Sequence, residues 1–317
     1  MVIDWTPVTA TFGAEVRGLD LDATLSEEQR RALSELWRDR GLLLFRDAPL
    51  TPEAQVALTE VFGAAEIHPA REAWVEGFPQ LTHIRFTPEQ RERTTIYDVN
   101  GAELANWQPW HIDTIYTTKV DRGGILHAVE VPSKGADTGF IDRAMLYDLM
   151  PDALRERAEG KRVLYRLNPI ASANPFYPPG AARLIHRPPH IEALQARIAS
   201  DFPIVSHPVF FIHPDSGRRT LNVTAMHAIG MENMDPVEGD ALLRELVLFS
   251  LTTGERYFHH WRGHDTVIWD NWRFLHSAEG TPTHITRRLR RSGVIGDYGE
   301  GRTVTQAHAA EKVMAMP

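Results

Sequence analysis

The chain contains no cysteine among its 317 residues. That absence excludes disulfides, thiolate zinc sites, iron–sulfur clusters and a cysteine nucleophile, and it fits a reducing cytoplasm as the working compartment. No stretch approaches the roughly 18 apolar residues of a membrane-spanning helix, so no membrane association is expected. The opening MVIDWTPVTATFGAEVRG has neither the basic start nor the apolar centre of a secretory signal. A long basic block is also missing, and the formal charge is -8, so nucleic acid is not an expected partner. No internal repeat or low-complexity tract occurs. What is present is 43% hydrophobic and 24% charged residues, ordinary for a globular protein. A chain of this length can bury roughly 75% of its unfolded surface without covalent staples.

Two helices are written near the start. In SEEQRRALSELWRDRG, Ser26 and Gln29 form a capping box, Leu33, Leu36 and Trp37 share one face, and Gly41 is the stop. In TPEAQVALTEVFG, Thr51 caps, Pro52 takes the first position and Gly63 is the expected stop. LLLF at 42–45 reads as a buried strand. From about residue 80 strands dominate: ILHAVEV (125–131), IVSHPVFFIH (204–213), TLNVT (220–224), DTVIWD (265–270) and RSGVIGD (291–297). Pro, Gly and Asp turns separate them rather than crossover helices. That predicts a mainly β fold with flanking helices and antiparallel sheets: a sandwich, jelly roll or barrel. Segments 83–105 and 168–190 offer no regular element and read as lids over a site within one domain, 1–317. The tail after Gly299 is expected to be loosely held.

The chemistry gathers around NWQPWHIDTIYTT. With 15 histidines, an H-x-D triplet arises about once by chance, and this chain has a second at His213 and Asp215. The second lies in HPDSGRR, which is turn chemistry, so its His and Asp are expected to be structural. His111 and Asp113 instead lie in an aromatic and β-branched run. On a strand, residues i and i+2 share a face, so the two side chains can converge. An unpaired carboxylate buried there costs several kcal/mol, which a metal or a cation removes. Downstream, DTVIWDNWRFLHSAEG supplies His276. Two histidines and one carboxylate make the facial triad of non-haem ferrous oxygenases, with three coordination positions left open. Arg287 follows His276 by eleven residues within TRRLRR. Its planar fork suits a carboxylate better than lysine would. A solvated strand face and a half-buried structural histidine are the plainer alternatives, each reasonable alone and weak in combination.

These residues resemble the taurine dioxygenase and aryloxyalkanoate dioxygenase (TauD/TfdA) family over about residues 5–298. WHIDTIY, EVPSKGADTGF, HPVFFIHPDSGRRTLNV, IWDNWRFLHSA and RRLRRSGVIGD follow one another in family order. The resemblance implies a double-stranded β-helix, a cupin-like jelly roll. It implies Fe(II), 2-oxoglutarate and O2, with His111, Asp113 and His276 as iron ligands. Arg287 and Thr138, in GADT, would hold the far carboxylate of 2-oxoglutarate. Arg291 and His68 would contact an anionic group on the substrate, and Trp107, Tyr116, Phe176 and Tyr177 could wall an apolar pocket or simply fill the core. The lids match neither branch of the family well, and TAMHAIGM at 224–231 is nearer the aryloxyalkanoate branch. The expected reaction is oxidation of a small anionic organic molecule, by hydroxylation, with release of succinate and CO2. Relatives that halogenate lack the carboxylate that Asp113 supplies. Desaturation or cyclisation by the same chemistry stays open, and dimers or tetramers are expected from relatives. Two rivals, a zinc hydrolase and a non-catalytic organic-acid-binding jelly roll, leave GADT and Arg287, or the triad itself, without a purpose.

Overall fold

The computed structural model describes residues 3–304, apart from 69, 70, 171, 173 and 179. The first helix is Glu27–Arg40, with the reciprocal Ser26 and Gln29 capping bonds in place. Gly41 ends it at φ +71°, and a Cβ there would meet the Phe274 ring at 2.6 Å, so conformation and space both require glycine. The second helix, Pro52–Thr59, stops short of Gly63. Its last residues tighten into turns in which Val61 N–H donates to Leu58 O and Phe62 N–H to Thr59 O.

Two sheets face each other, and the chain alternates between them. The larger has eight strands in the order Asp4–Pro7, Ala14–Arg17, Leu42–Phe45, Thr266–Asp270, Gly123–Glu130, Arg287–Val294, Phe78–Phe86 and Trp74–Val75. The smaller runs Arg256–His259, Thr138–Asp142, Phe274–Ala278 and Gln108–His111. Gly123–Glu130, Thr138–Asp142, Thr266–Asp270, Phe274–Ala278 and Arg287–Val294 therefore fall alternately in the larger and the smaller sheet. Among the described residues every strand pairing is antiparallel except that of Ala14–Arg17 with Leu42–Phe45. Leu126, Val267, Trp269 and Leu289 of the larger sheet pack on Phe140 and Phe274 of the smaller, in one buried cluster. This alternation across a shared core is the jelly roll, or double-stranded β-helix, and the expectation of a mainly β fold with flanking helices holds.

Several regions differ from the sequence reading. Segment 83–105 is largely regular: Phe78–Phe86 ends inside it, and Ile96–Val99 and Ala102–Ala105 form a hairpin. Asn100 and Gly101 make its turn with φ of +54° and +83°. Asn-Gly is a strong hairpin signal, here hidden by charged surroundings. Arg183–His186, from the other expected lid, pairs with Ile96–Val99, so the two segments build one sheet. The tail is held at Arg302–Thr303, which pairs with Val205–Ser206 while Arg302 bonds Glu232 at 2.9 Å; residues 305–317 lie outside the described ones. Finally, a 17-residue helix, Pro236–Thr252, interrupts the strand series. It carries its own start signals, Asp235 as N-cap and Pro236 in the first turn, and buries Leu242, Leu243, Leu246 and Val247. Phe176 is buried in the same core cluster and lines none of the cavities described below, so of its two expected places, pocket wall or core, it takes the core. No described helix is long and apolar enough to cross a membrane.

The crossing between the sheets is pinned by Arg143, which is 1% exposed. Its guanidinium donates to Leu221 O, Asn222 Oδ1, Asn271 O and Trp272 O at 2.6–3.2 Å. Arg143→Met would orphan these buried acceptors. We expect a loss of about 3 kcal/mol or more, seen as a lower urea midpoint at unchanged slope.

Candidate active site

Strand pairing brings the two distant histidines together. His111 ends the strand Gln108–His111 and sits opposite His276 on Phe274–Ala278, with the ring centroids 4.0 Å apart. Asp113 Oδ1 is 3.4 Å from His111 Nε2, and its Oδ2 is 3.5 Å from His276 Nε2. One ligand atom from each of the three lies within 4.8 Å of the others, the only such group among the described residues. His111 Nδ1 faces the carbonyl of Pro109 at 2.7 Å. A carbonyl only accepts, so Nδ1 carries the hydrogen and Nε2 presents its lone pair to the cluster. Burial and the neighbouring His111 push His276 down to about 4, so it is neutral at pH 7 and able to ligate. Burial alone would raise Asp113, but the Arg291 guanidinium and His276 hold its carboxyl well below the usual range. The donor set and its protonation states fit a divalent transition metal with open positions.

Asp113 arrives by a different route from the one its sequence suggested. The strand ends at His111, and Asp113 opens a turn in which Thr114 has φ +56°. A β-branched residue is strained there. The turn is held by Asn271, which accepts from Asp113 N–H at 3.0 Å and donates to Asp113 O at 3.1 Å and Asp121 O at 2.9 Å. Asn271 was visible in the WDN of the sequence, but nothing in the sequence tied it to a turn 158 residues away.

The other candidates divide between two connected cavities that share the triad's His111 and Asp113. One, of about 410 Å³, is lined by Thr138, Arg287, Leu289, Arg291 and His276. Arg287 is 6% exposed, and its Nε is buried without a hydrogen-bond partner. Burial lowers its guanidinium to about 10, so it stays charged near neutrality. It stacks 5.9 Å above the Trp261 ring, and Trp261 Nε1–H donates to Thr138 Oγ1 at 3.0 Å. With that acceptor position filled, the Thr138 hydroxyl hydrogen is free to point elsewhere. Trp107 lines this cavity and a neighbouring one of about 500 Å³, which Tyr177 lines too, with its hydroxyl donating to Trp110 O at 2.5 Å.

The second cavity, of about 610 Å³, is lined by Glu66, His68, Tyr116, Asp121, His227 and Arg291. His68 is half-buried at its edge, and its carbonyl accepts from Trp74 Nε1 at 2.7 Å. Arg291 donates to Asp113 Oδ2 at 2.9 Å and lies 3.9 Å from Glu66 Oε2. Burial pushes Tyr116 up to about 12 and His227 down to about 3. Burial and the nearby Glu66 carboxylate push Asp121 up to about 7. Glu66 and Asp121 were not singled out in the sequence, where each lies among ordinary turn residues. The second H-x-D is a hairpin turn as expected: His213 Nε2–H donates to Asp270 Oδ2 at 2.9 Å, and Asp215 pairs with Arg122.

Asn271→Ala should free the Asp113 turn without touching the ligands. We expect metal affinity to fall about 10- to 100-fold, the usual effect of removing a ligand's support, measured by Co(II) titration. Unchanged affinity would show that the turn holds Asp113 unaided.

The model of the family described as "Taurine catabolism dioxygenase TauD, TfdA family" matches residues 4–292. The chain is 30% identical over 297 residues to the (S)-phenoxypropionate/alpha-ketoglutarate-dioxygenase of Sphingobium herbicidovorans, covering 93% of this chain and 95% of the relative. It is 29% identical over 299 residues to the alpha-ketoglutarate-dependent 2,4-dichlorophenoxyacetate dioxygenase of Cupriavidus pinatubonensis, covering 92% and 97%. In architecture it is similar to a taurine dioxygenase from Burkholderia xenovorans, with a TM-score of 0.71, 22% identity and 98% of both chains covered. With the family pattern spanning nearly its whole length, this chain belongs to the TauD/TfdA family of alpha-ketoglutarate-dependent dioxygenases, enzymes that work with Fe(II), 2-oxoglutarate and O2.

Proposed function

We propose that this dioxygenase hydroxylates a small organic acid, with His111, Asp113 and His276 holding the iron. Arg287 and Thr138 hold the far carboxylate of 2-oxoglutarate, and Arg291 with His68 faces the acidic group of the substrate. When bound, Fe(II) and 2-oxoglutarate supply an oxidant from O2, coupled to decarboxylation of the cosubstrate to succinate. The observation that carries the reading is Arg287: a buried guanidinium with an unpartnered Nε, on the wall of the cavity that holds the triad. A buried charge of this kind needs an anionic partner, and a carboxylate meets its fork bidentately.

The chain's own residues do the arranging. The Pro109 carbonyl fixes the His111 ring so that Nε2 faces the metal position. Arg291 keeps Asp113 ionised, so the third ligand needs no deprotonation on metal binding. Thr138, with its oxygen accepting from Trp261, has a hydrogen to donate to the same carboxylate as Arg287. Leu126, Trp269 and Leu289 give this cavity apolar walls, which strengthen the ion pair inside it. The hairpin Ile96–Ala105 and segment 168–190 serve as the covering elements, since Tyr97 and Pro169 from them line the cavity.

Fe(II) and 2-oxoglutarate added anaerobically should give the visible charge-transfer band of the chelate, and its absence in folded protein would sink the cosubstrate assignment. Arg287→Ala should weaken 2-oxoglutarate by about 2–5 kcal/mol, at least about 30-fold, with metal affinity unchanged. Arg287→Lys should recover only part of that loss because it lacks the planar fork. Equal weakening of metal and 2-oxoglutarate in Arg287→Ala would mean that Arg287 does not hold the cosubstrate.

A further inference from the structure

We infer that Tyr298 and His207 are positioning residues for the metal site: together they clamp the turn 113–121, which carries Asp113. The inference rests on the reading of Asp113 as an iron ligand and adds what keeps that ligand in place.

The turn needs holding. Thr114 is β-branched and sits at φ +56°, a conformation that persists only where the surroundings enforce it. Asn271 grips Asp113 and Asp121, and Trp272 Nε1–H donates to Val120 O, so the two feet of the turn are tied to one neighbouring segment. Its crown, 117–119, is met from another direction. The fully buried His207 places Nε2 2.8 Å from Thr117 O and Nδ1 2.6 Å from the Tyr298 hydroxyl. A carbonyl only accepts, so Nε2 carries the hydrogen and Nδ1 is the acceptor. Burial pushes the imidazole down to about 4, which keeps it neutral near pH 7. The Tyr298 oxygen accepts from Asn222 Nδ2 at 3.1 Å, leaving its own hydrogen for Nδ1. Tyr298 therefore selects the tautomer of His207 that can hold Thr117. Asn222 Oδ1 takes Arg143, which also donates to Asn271 O and Trp272 O. A continuous line of hydrogen bonds thus joins the feet of the turn to its crown.

Tyr298 sits in the strap 297–304, beyond residue 292, where the match to the family pattern ends. The strap has fastenings of its own. Arg162 donates to Glu300 O at 2.6 Å, Arg302 Nε–H to Ser206 Oγ at 3.2 Å, and Val304 N–H to Ile204 O at 2.9 Å. It also presses directly on the crown. A Cβ at Gly301 would run into the Thr118 carbonyl and meet His207 Cε1 at 2.6 Å, so strap, His207 and crown are in close contact. A turn ordered before the metal arrives costs nothing further on binding, whereas the ordering of a loosened turn is deducted from the metal's affinity.

The probe is Co(II), titrated into metal-free protein, followed by 2-oxoglutarate titrated into the Co(II)-saturated protein. Tyr298→Phe removes the hydroxyl, and Gly301→Ala wedges the strap off the crown; neither residue lines either cavity that meets at the triad. Each should weaken Co(II) about 5-fold, the net worth of one hydrogen bond. The affinity of the Co(II)-saturated protein for 2-oxoglutarate should stay unchanged, because Arg287 stands on a separate strand. A merely structural role would lower the urea midpoint and leave the Co(II) affinity of the folded protein as it was. Circular dichroism establishes that each variant folds, and should one fail to do so, the other decides. The inference is overturned if the folded variants bind Co(II) as the unsubstituted protein does, or if 2-oxoglutarate weakens by the same factor. Asp113→Ala is measured alongside. Unchanged Co(II) affinity in Asp113→Ala sinks the triad reading, whereas a loss there with none in the strap variants sinks only the positioning role.

Discussion

The site depends on a short buried turn, Asp270-Asn271-Trp272-Arg273, where the chain leaves the larger sheet at Thr266–Asp270 and enters the smaller one at Phe274–Ala278. Every side chain of the turn is tied. Asp270 takes His213 and Arg122, Asn271 grips the backbone of Asp113 and Asp121, Trp272 Nε1–H donates to Val120 O, and Arg273 pairs with Asp142 at 2.7 Å. Burial would raise the Asp270 carboxyl, but Arg122 and His213 hold it well below the usual range, so the network is ionic as well as hydrogen-bonded. Polar networks in a low-dielectric interior are rigid when fully satisfied. This one sets where His276 stands, three residues beyond Arg273, and where Asp113 stands, across the sheet.

The two cavities that meet at the triad differ in electrostatics because their cations are committed differently. On one side Arg287 is buried over an aromatic ring with an unpartnered Nε, a setting that favours a full carboxylate. On the other side Arg291 is engaged by Asp113 and faces Glu66, so it is partly neutralised by the chain itself. Two arginines four residues apart on one strand thus have unlike surroundings, and the difference comes from what other elements bring to each. Arg288, between them, is exposed, and Arg290 is buried on the opposite face, where its Nε–H donates to Gln55 at 2.6 Å.

The sequence by itself determined the elements whose signals are local. The capping box at Ser26 and the glycine at 41 act over a few residues, so their outcomes match the reading, while the strand runs read from about residue 80 form strands with other bounds, as at 220–224, where the strand is Arg219–Leu221. The grouping of His111, Asp113 and His276 was legible for a chemical reason: a carboxylate and two imidazoles set among apolar residues suit a shared metal. Two local signals were present and outweighed, Asn100-Gly101 by the charges around it and Asp235-Pro236 by the run of strands on either side.

Only the tertiary structure decided what depends on contacts between distant segments. His111 and Asp113 converge through a strained turn that Asn271 closes, and a pattern of alternate residues cannot encode that. Glu66 and Asp121 look like ordinary turn acids until the jelly roll sets them beside Arg291. Phe176 could have lined a pocket or filled a core, and packing against the helix Pro236–Thr252 made it core. The physical reason is the same in each case. Residue type and spacing fix what a side chain is able to do, while its charge balance and burial are set by neighbours that the fold brings from far along the chain.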